Sequence, residues 1–158
     1  MFTRIHSFIV ALGMVMALGT SAQAGDTILT LTHKGQTQTF DRAALEALGT
    51  TTIETTTIWT EGTQVFEGVS LARLAREIEA QDGKLLATAI NDYTVEIPLS
   101  DAVENGPIIA MTLNGAEMSV RDKGPLWVVY PYDADAEYRT EVIYSRSIWQ
   151  LDRIEVVQ

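Results

Sequence analysis

The amino-acid sequence predicts an α+β fold, in which a strand-rich single domain carries a few short helices. Segments dominated by β-branched residues recur along the chain and outnumber the segments with helical periodicity. The chain has no internal repeat, low-complexity tract or interior linker. Residues 25–158 are enough to bury one hydrophobic core and too few for two ordinary domains.

The start of this domain is predicted to hold two strands, a short helix and a further extended segment. Thr27–His33 alternates with the period of a strand, Lys34-Gly35 is a turn, and Gln36–Phe40 is the expected partner strand. Asp41 can cap a short helix over the segment DRAALEALG, which Gly49 follows. Thr50–Trp59 is so rich in β-branched residues that we expect extended structure.

The clearest helix is predicted after Gly68. The Ser70 hydroxyl can accept a hydrogen bond from a first-turn amide, and Gly83 ends the helical pattern. Apolar residues repeat at helical spacing and charged residues take the opposite face. The apolar positions are Leu71, Leu74, Ala75 and Ile78, and the charged positions are Arg73, Arg76, Glu77 and Glu79.

The remaining elements are mostly strands. Lys84–Pro98 predicts two strands joined at Asn91-Asp92, and Pro98 opens a short helix running toward Gly106. The later predicted strands are Ile108–Leu113 and its return Glu117–Val120 around the turn Asn114-Gly115, the wholly buried Leu126–Tyr130, and Ile154–Val157. Arg139–Trp149 is compatible with a helix or with an irregular segment.

Residues 1–24 have the pattern of a secretory signal peptide. Arg4 and His6 precede an apolar run, Phe8–Leu18, and small residues lead to a cleavage site expected after Ala24. The alternative is an uncleaved membrane anchor, but this run is shorter than the roughly 20 apolar residues that cross a bilayer. We therefore expect an exported, periplasmic protein with no membrane span after cleavage.

The charge of the expected mature chain is strongly negative. Ten lysines and arginines against 21 aspartates and glutamates give a formal charge of −11 for residues 25–158. Such a surface repels phosphate backbones and anionic lipid, which argues against nucleic-acid and membrane partners. The acidity could favour a cationic partner or could serve solubility alone.

The absence of cysteine excludes several kinds of chemistry. Without a thiol the chain has no cysteine nucleophile, redox pair or thiolate metal ligand. His33 is the one histidine after residue 24, and it lies beside a predicted turn, where a surface position is expected. No glycine-rich phosphate loop or paired metal-ligand spacing occurs, so neither catalytic nor metal-binding residues are predicted.

The segment GPLWVVYPYDAD predicts a pocket at the end of a buried strand. Tyr130 and Tyr132 flank Pro131, and each offers an aromatic face and a hydroxyl; alternatively, both pack under the following loop. Asp133 follows them. It is two residues from Asp135, and the two carboxylates either act as a general acid and base or form part of a solvated surface. Arg139 and Arg146 suit a small planar anion, or they form surface pairs with neighbouring acids.

Three stretches together carry a family resemblance. They are VFEGVSLARLAREIEA, the block NDYTVEIPLSDAV followed by IIAMTLNGAEM, and GPLWVVYPY closing with IWQLDRIEVV. In this order they resemble the oxidoreductase molybdopterin-binding domain of the sulfite oxidase type, over most of residues 25–158. The resemblance implies that family's mixed, strand-rich fold with short helices.

The resemblance also implies where a cofactor would lie. In that family a cysteine thiolate, placed in an extended segment before the first long helix, binds the molybdenum. Here the matching segment, IETTTIWTEG, has threonines instead, so Thr57 and Trp59 join the candidate ligand-binding residues. Trp127 stands where the family commonly has arginine. A neutral hydroxyl is a poor substitute for a soft thiolate.

These observations predict an accessory or sensory binding module without molybdenum catalysis and without a cofactor. Its expected partner is a small-molecule ligand or a periplasmic protein. The alternative is a molybdopterin-dependent oxidoreductase of the sulfite oxidase type, with molybdopterin bound without a protein thiolate. A third hypothesis is a purely structural partner domain.

Overall fold

Residues 25–158 are described by a computed structural model, and the predicted signal peptide at residues 1–24 lies outside the described residues. The strands are β1 (Leu29–His33), β2 (Gln36–Phe40), β3 (Thr51–Thr55), β4 (Gln64–Ser70), β5 (Lys84–Ala89), β6 (Thr94–Pro98), β7 (Ile108–Leu113), β8 (Ala116–Glu117), β9 (Trp127–Val129) and β10 (Leu151–Val157). The helices are α1 (Arg42–Ala47), α2 (Leu71–Glu77) and α3 (Glu141–Arg146), with 3-10 turns at Leu99–Asp101, Val120–Asp122 and Ala136–Tyr138.

The strands form two five-stranded sheets. The first has the order β2-β1-β10-β5-β6, with β1 and β10 parallel and its other pairs antiparallel. The second has the order β3-β4-β7-β8, and β9 also pairs with β7. Because β10 lies at the centre of the first sheet, that sheet needs both ends of the described chain. The strand-rich α+β prediction is confirmed.

Both predicted helix caps are confirmed. The Asp41 carboxylate accepts a hydrogen bond from the Ala44 N–H at 2.8 Å, and the Ser70 hydroxyl accepts one from the Arg73 N–H at 3.2 Å. Across α2 and the two residues after it, the four predicted apolar positions are buried and the four predicted charged positions are exposed. The helix ends at Glu77, earlier than the expected end at Gly83. Side-chain capping and apolar periodicity are local properties, so the sequence was sufficient to predict them.

Strand β4 was not predicted, although it lies between β3 and β7 in the second sheet. Glu67 and Gly68 interrupt its apolar pattern, and the pairing with β7 shifts register between these two residues. A Cβ atom at Gly68 would lie 1.9 Å from the Ile109 carbonyl oxygen. The glycine therefore allows a close backbone approach at an irregularity in the strand, rather than marking the strand's end.

Three predicted elements are shorter in the structure. The extended segment predicted over Thr50–Trp59 ends as β3 at Thr55, and the predicted return strand Glu117–Val120 is reduced to β8. The helix expected from Pro98 toward Gly106 is a single 3-10 turn. The ambiguous Arg139–Trp149 segment contains α3, capped by the Thr140 hydroxyl, and is irregular on either side.

Strand β9 is held from two sides. It pairs with β7, while the Val128 N–H donates to the Ile148 carbonyl at 2.8 Å and the Leu151 N–H donates to the Leu126 carbonyl at 3.0 Å. Leu126–Tyr130 is entirely buried, which confirms the prediction for this segment. The chain entering β10 thus runs beside the end of β9, and the candidate site lies at this junction. Among residues 25–158, no helix is long and apolar enough to cross a bilayer.

Candidate functional site

The threonine segment after β3 forms a turn whose hydroxyls bond to their neighbours. The fully buried Thr55 hydroxyl donates to the Thr56 carbonyl at 3.1 Å and accepts from the Asp133 N–H at 3.1 Å. The Thr57 and Thr60 hydroxyls are 2.7 Å apart, and Thr57 also accepts from the Trp59 N–H at 3.0 Å. This turn fixes where the Trp59 side chain lies.

Asp133 connects the threonine turn to the segment after β9. Its carboxylate accepts hydrogen bonds from the Thr56 N–H at 2.6 Å and from the Thr56 hydroxyl at 2.7 Å. These two bonds, with a smaller contribution from the Arg139 charge, lower the pKa of Asp133 below its usual value. The carboxylate is therefore ionised at neutral pH and acts as a structural acceptor.

Tyr130 and Tyr132 are buried, and both hydroxyls have partners inside the protein. The Tyr130 hydroxyl donates to the Asp101 carboxylate at 2.7 Å, and the Tyr132 hydroxyl donates to the Ser147 hydroxyl at 2.6 Å. Burial raises the pKa of Tyr130 far above its usual value, and burial raises the pKa of Tyr132 to about 12. Both phenols are consequently neutral at pH 7 and unsuited to act as bases there.

The two candidate arginines contact different partners. Arg139 donates to the Tyr132 carbonyl at 3.0 Å, close to Asp133. Arg146 forms an ion pair with Asp101 at 2.9 Å, on the carboxylate oxygen that also accepts from Tyr130. Within residues 25–158, neither arginine forms an ion pair with the neighbouring acids Asp133, Asp135 and Glu141. Arg146 pairs with Asp101 because the fold brings that residue close from the turn after β6.

Trp59 lies at the centre of an aromatic cluster. Its ring packs edge to face against four rings, with centroid distances of 5.7 Å to Trp127, 6.2 Å to Tyr132, 5.8 Å to Tyr144 and 5.6 Å to Trp149. Edge-to-face contacts at these distances are favourable beyond the area that they bury. The cluster includes all three tryptophans of the sequence.

Two cavities lie beside this cluster and share three lining residues, Trp59, Trp149 and Gln150. We call the first the aromatic groove, which has a volume of about 340 Å³. Its other lining residues are Ala89, Asn91, Tyr93, Tyr144, Ser145, Ser147 and Ile148. We call the second the cationic groove, which has a volume of about 330 Å³ and is completed by Arg121 and Lys123.

Of the seven candidate residues, Trp59 lines both grooves. Thr57, Tyr132, Asp133 and Arg139 lie behind it as supporting contacts, whereas Tyr130 and Arg146 meet on Asp101. Tyr93, Arg121 and Lys123 line these grooves but are not among the residues predicted from the sequence. A shortage of cations could have drawn attention to the last two, but the position of their side chains depends on the fold.

A larger cavity of about 590 Å³ lies on another part of the surface, beside the end of α2. Its lining residues are His33, Lys34, Ala75, Arg76, Glu79, Ala80, Gln81, Asp82 and Gln158. His33 donates through Nδ1 to the Ile78 carbonyl at 2.8 Å, so this histidine contributes to packing at the end of the helix. Lacking apolar rings, this cavity has less surface that favours an organic ligand than the grooves around Trp59.

The fold and the site define a class: a two-sheet α+β domain with a ligand-sized, tryptophan-lined groove. The model of the oxidoreductase molybdopterin binding domain matches residues 26–138, and the chain belongs to this family. This confirms the resemblance found in the sequence. None of the curated proteins matches the chain.

The fold is also found in a solved structure. The crystal structure of the sulfane dehydrogenase SoxCD from Paracoccus pantotrophus superposes with a TM-score of 0.59 at 17% sequence identity. The similarity covers 81% of this chain and 37% of that chain, so this chain spans little more than a third of the SoxCD chain. At this identity the similarity concerns the fold alone.

The residues of the threonine turn do not fit a molybdenum ion held by a protein thiolate. The segment that matches the family's metal-binding position offers hydroxyls, and those of Thr55, Thr56 and Thr57 are already hydrogen-bonded within the protein. Among residues 25–158, no group of three or more histidine, aspartate or glutamate side chains is arranged to hold a metal ion. Neutral hydroxyls are also weak ligands for this metal compared with a thiolate.

Proposed function

We propose that this protein is an exported, periplasmic binding module that uses the molybdopterin-binding fold without molybdenum catalysis. The observation that carries the proposal is that the hydroxyls of the threonine turn are hydrogen-bonded within the protein. Thr56 bonds to Asp133 and Thr57 bonds to the Trp59 backbone, and Trp59 itself packs against four rings. The position that serves the metal in the family is therefore used here to support an aromatic groove.

The groove supports a binding role for physical reasons. Cavities that hold small ligands are concave, mostly apolar and roughly 300 Å³ or larger, and the aromatic groove meets these conditions. Tyr93 is 57% exposed and Trp149 is 38% exposed, so aromatic surface is available to a ligand or to a partner. The module would act as an accessory or sensory component in the periplasm.

The test is to express the full chain in a bacterial host that synthesises molybdopterin and to purify it from the periplasmic fraction. Elemental analysis for molybdenum and fluorescence of the oxidised pterin are then measured, with a cysteine-bearing family member purified in parallel as the positive control. We expect metal and pterin in the control and neither in this protein. One molybdenum per chain would instead favour an oxidoreductase, and protein confined to the cytoplasm would contradict export.

A further inference from the structure

We propose that the paired grooves bind a small aromatic anion, with its ring in the aromatic groove and its charged group beside Lys123 and Arg121. This inference rests on the proposed binding function and names the chemical class of ligand. It depends on two independent features of the site. The first is the position of two cations in a strongly acidic protein, and the second is the set of aromatic rings that line the aromatic groove.

The cations of the protein are mostly occupied elsewhere. Among residues 25–158, seven of the ten lysines and arginines donate a side-chain hydrogen bond to the protein, namely Arg42, Arg73, Arg76, Lys84, Arg139, Arg146 and Arg153. The three that make no such bond within the described chain are Lys34, Arg121 and Lys123. Two of these three line the cationic groove, although the surface as a whole is acidic.

Lys123 packs against two tryptophan rings and forms no ion pair within residues 25–158. Its ammonium lies 5.5 Å from the centroid of the Trp127 ring and 5.7 Å from that of Trp149. A tryptophan ring attracts a cation through its quadrupole, but it carries no negative charge that neutralises the cation. An anion that enters the groove can therefore still form an ion pair with Lys123.

Three polar side chains of the aromatic groove each use one polar atom in a hydrogen bond to the backbone. Asn91 accepts from the Tyr93 N–H at 3.2 Å, Ser145 donates to the Val142 carbonyl at 2.7 Å, and Gln150 donates to the Val120 carbonyl at 2.7 Å. The apolar surface offered to a ligand comes mainly from the rings of Trp59, Tyr93, Tyr144 and Trp149. A flat apolar group suits this surface better than a sugar or another polyhydroxylated molecule.

The size of the site favours a small molecule over a docked protein. A stable protein interface buries about 800 Å² on each partner, over a broad face. Here two concave cavities of about 340 and 330 Å³ meet at Trp59, Trp149 and Gln150. Because the grooves adjoin, a ligand with a ring and a nearby charged group can contact both.

The tryptophans provide the readout for a direct test. All three lie in this cluster, so intrinsic fluorescence reports on the site itself. The full chain, purified from the periplasmic fraction, is titrated with phenylacetate, with phenylacetamide as the uncharged analogue and with acetate as the anion without a ring. Titration calorimetry gives the affinity independently. We expect saturable binding of phenylacetate and much weaker binding of the other two.

Charge-removing variants then identify the cations involved. We expect K123Q and R121Q each to weaken phenylacetate binding by up to about fivefold, since a partly exposed charge pair contributes at most about 1 kcal/mol. The matched control is K34Q, which removes the same charge at a cation lining the larger cavity beside α2 and should leave the affinity unchanged. Circular dichroism verifies that each variant is folded. If K123Q does not fold, R121Q alone tests the role of the cations, because Arg121 is exposed and its replacement should not disturb the fold.

Three results would overturn this inference. They are the absence of saturable binding, equal binding of phenylacetate and phenylacetamide, and equal weakening by K34Q and by the groove variants. If the protein contains no metal and does not bind phenylacetate, the proposed binding function is unaffected and only the class of ligand is wrong. One molybdenum per chain contradicts the proposed function whatever the titration gives, so the two failures are distinguishable.

Discussion

Asp133 and Thr56, which are 77 positions apart in the sequence, are joined by two hydrogen bonds of 2.6 and 2.7 Å to one carboxylate. The bonds connect the turn after β3 to the segment after β9, and the ring of Trp59 in this turn packs against Tyr132 of that segment. The carboxylate thus orders the base of the aromatic groove without lining it.

The pairing of Asp133 with Thr56 should make stability depend on pH. Because the pKa of Asp133 is lowered in the folded state, its contribution is present above the unfolded-state pKa of about 3.9 and is lost as the pH falls through the folded-state pKa. We expect D133N to lower the unfolding free energy at pH 6 and to flatten its rise between acidic pH and pH 6. Urea denaturation across this range measures both effects.

The control for this prediction is D26N, because Asp26 is exposed and makes no hydrogen bond or ion pair among the described residues. It should reproduce the wild-type pH dependence. An identical change in D26N and D133N would show that net charge, and not the bond to Thr56, causes the effect.

Removal of the Tyr132 hydroxyl should destabilise the protein. Y132F leaves the buried Ser147 hydroxyl without its 2.6 Å donor, and we expect a loss of about 1 to 2 kcal/mol in unfolding free energy. The matched control is Y138F, since the Tyr138 hydroxyl makes no hydrogen bond within residues 25–158 and the ring packs against Tyr130. Chemical denaturation that gives equal values for both variants would contradict the role assigned to the Tyr132 bond.

The Asp101 carboxylate should contribute more stability than an exposed ion pair does. D101A removes the partner of the Tyr130 hydroxyl and of Arg146, so we expect a loss of about 2 to 3 kcal/mol. E104A breaks the ion pair with Arg76. The side chains of this pair are 58% exposed for Arg76 and 75% exposed for Glu104, so its loss should lower the unfolding free energy by less than about 1 kcal/mol. Thermal and urea unfolding of the two variants compare these costs directly, and a smaller loss in D101A would be inconsistent with the contacts.

Gly68 should tolerate no side chain. In G68A the new Cβ would lie 1.9 Å from the Ile109 carbonyl oxygen and 2.7 Å from the Ala110 Cα, both backbone atoms of β7. We expect β4 and β7 to separate locally, at a cost of about 3 kcal/mol or more. The yield of soluble protein and its melting temperature test this.

The control is G62A, at a glycine with φ of +68° and no neighbouring atom within 4 Å. Its backbone conformation alone should cost about 1 kcal/mol. If G68A were as stable as G62A, the backbones of β4 and β7 would have to be farther apart at Gly68 than the 1.9 Å contact with the Ile109 carbonyl implies.

The comparison between sequence and structure shows which signals are local. Asp41 and Ser70 were identified as helix caps, and Leu126–Tyr130 was identified as a buried strand, because each depends on residue types within a few positions. Strand β4 was missed because Gly68 interrupts its pattern, and its place is set by the partners β3 and β7. Pairing between distant segments leaves little trace in a single sequence.

Composition and short motifs were enough to predict the strand-rich α+β class, the family resemblance, the negative charge and the lack of a thiol. The three-dimensional fold was needed to identify Asp101 as the partner of Arg146 and to show that Tyr130 and Tyr132 are buried with bonded hydroxyls. It was also needed to show that Trp59, Trp149 and Lys123 line a shared groove. The physical reason is that a groove forms where segments far apart in the chain are brought together by sheet pairing. No single segment contains the information for that contact.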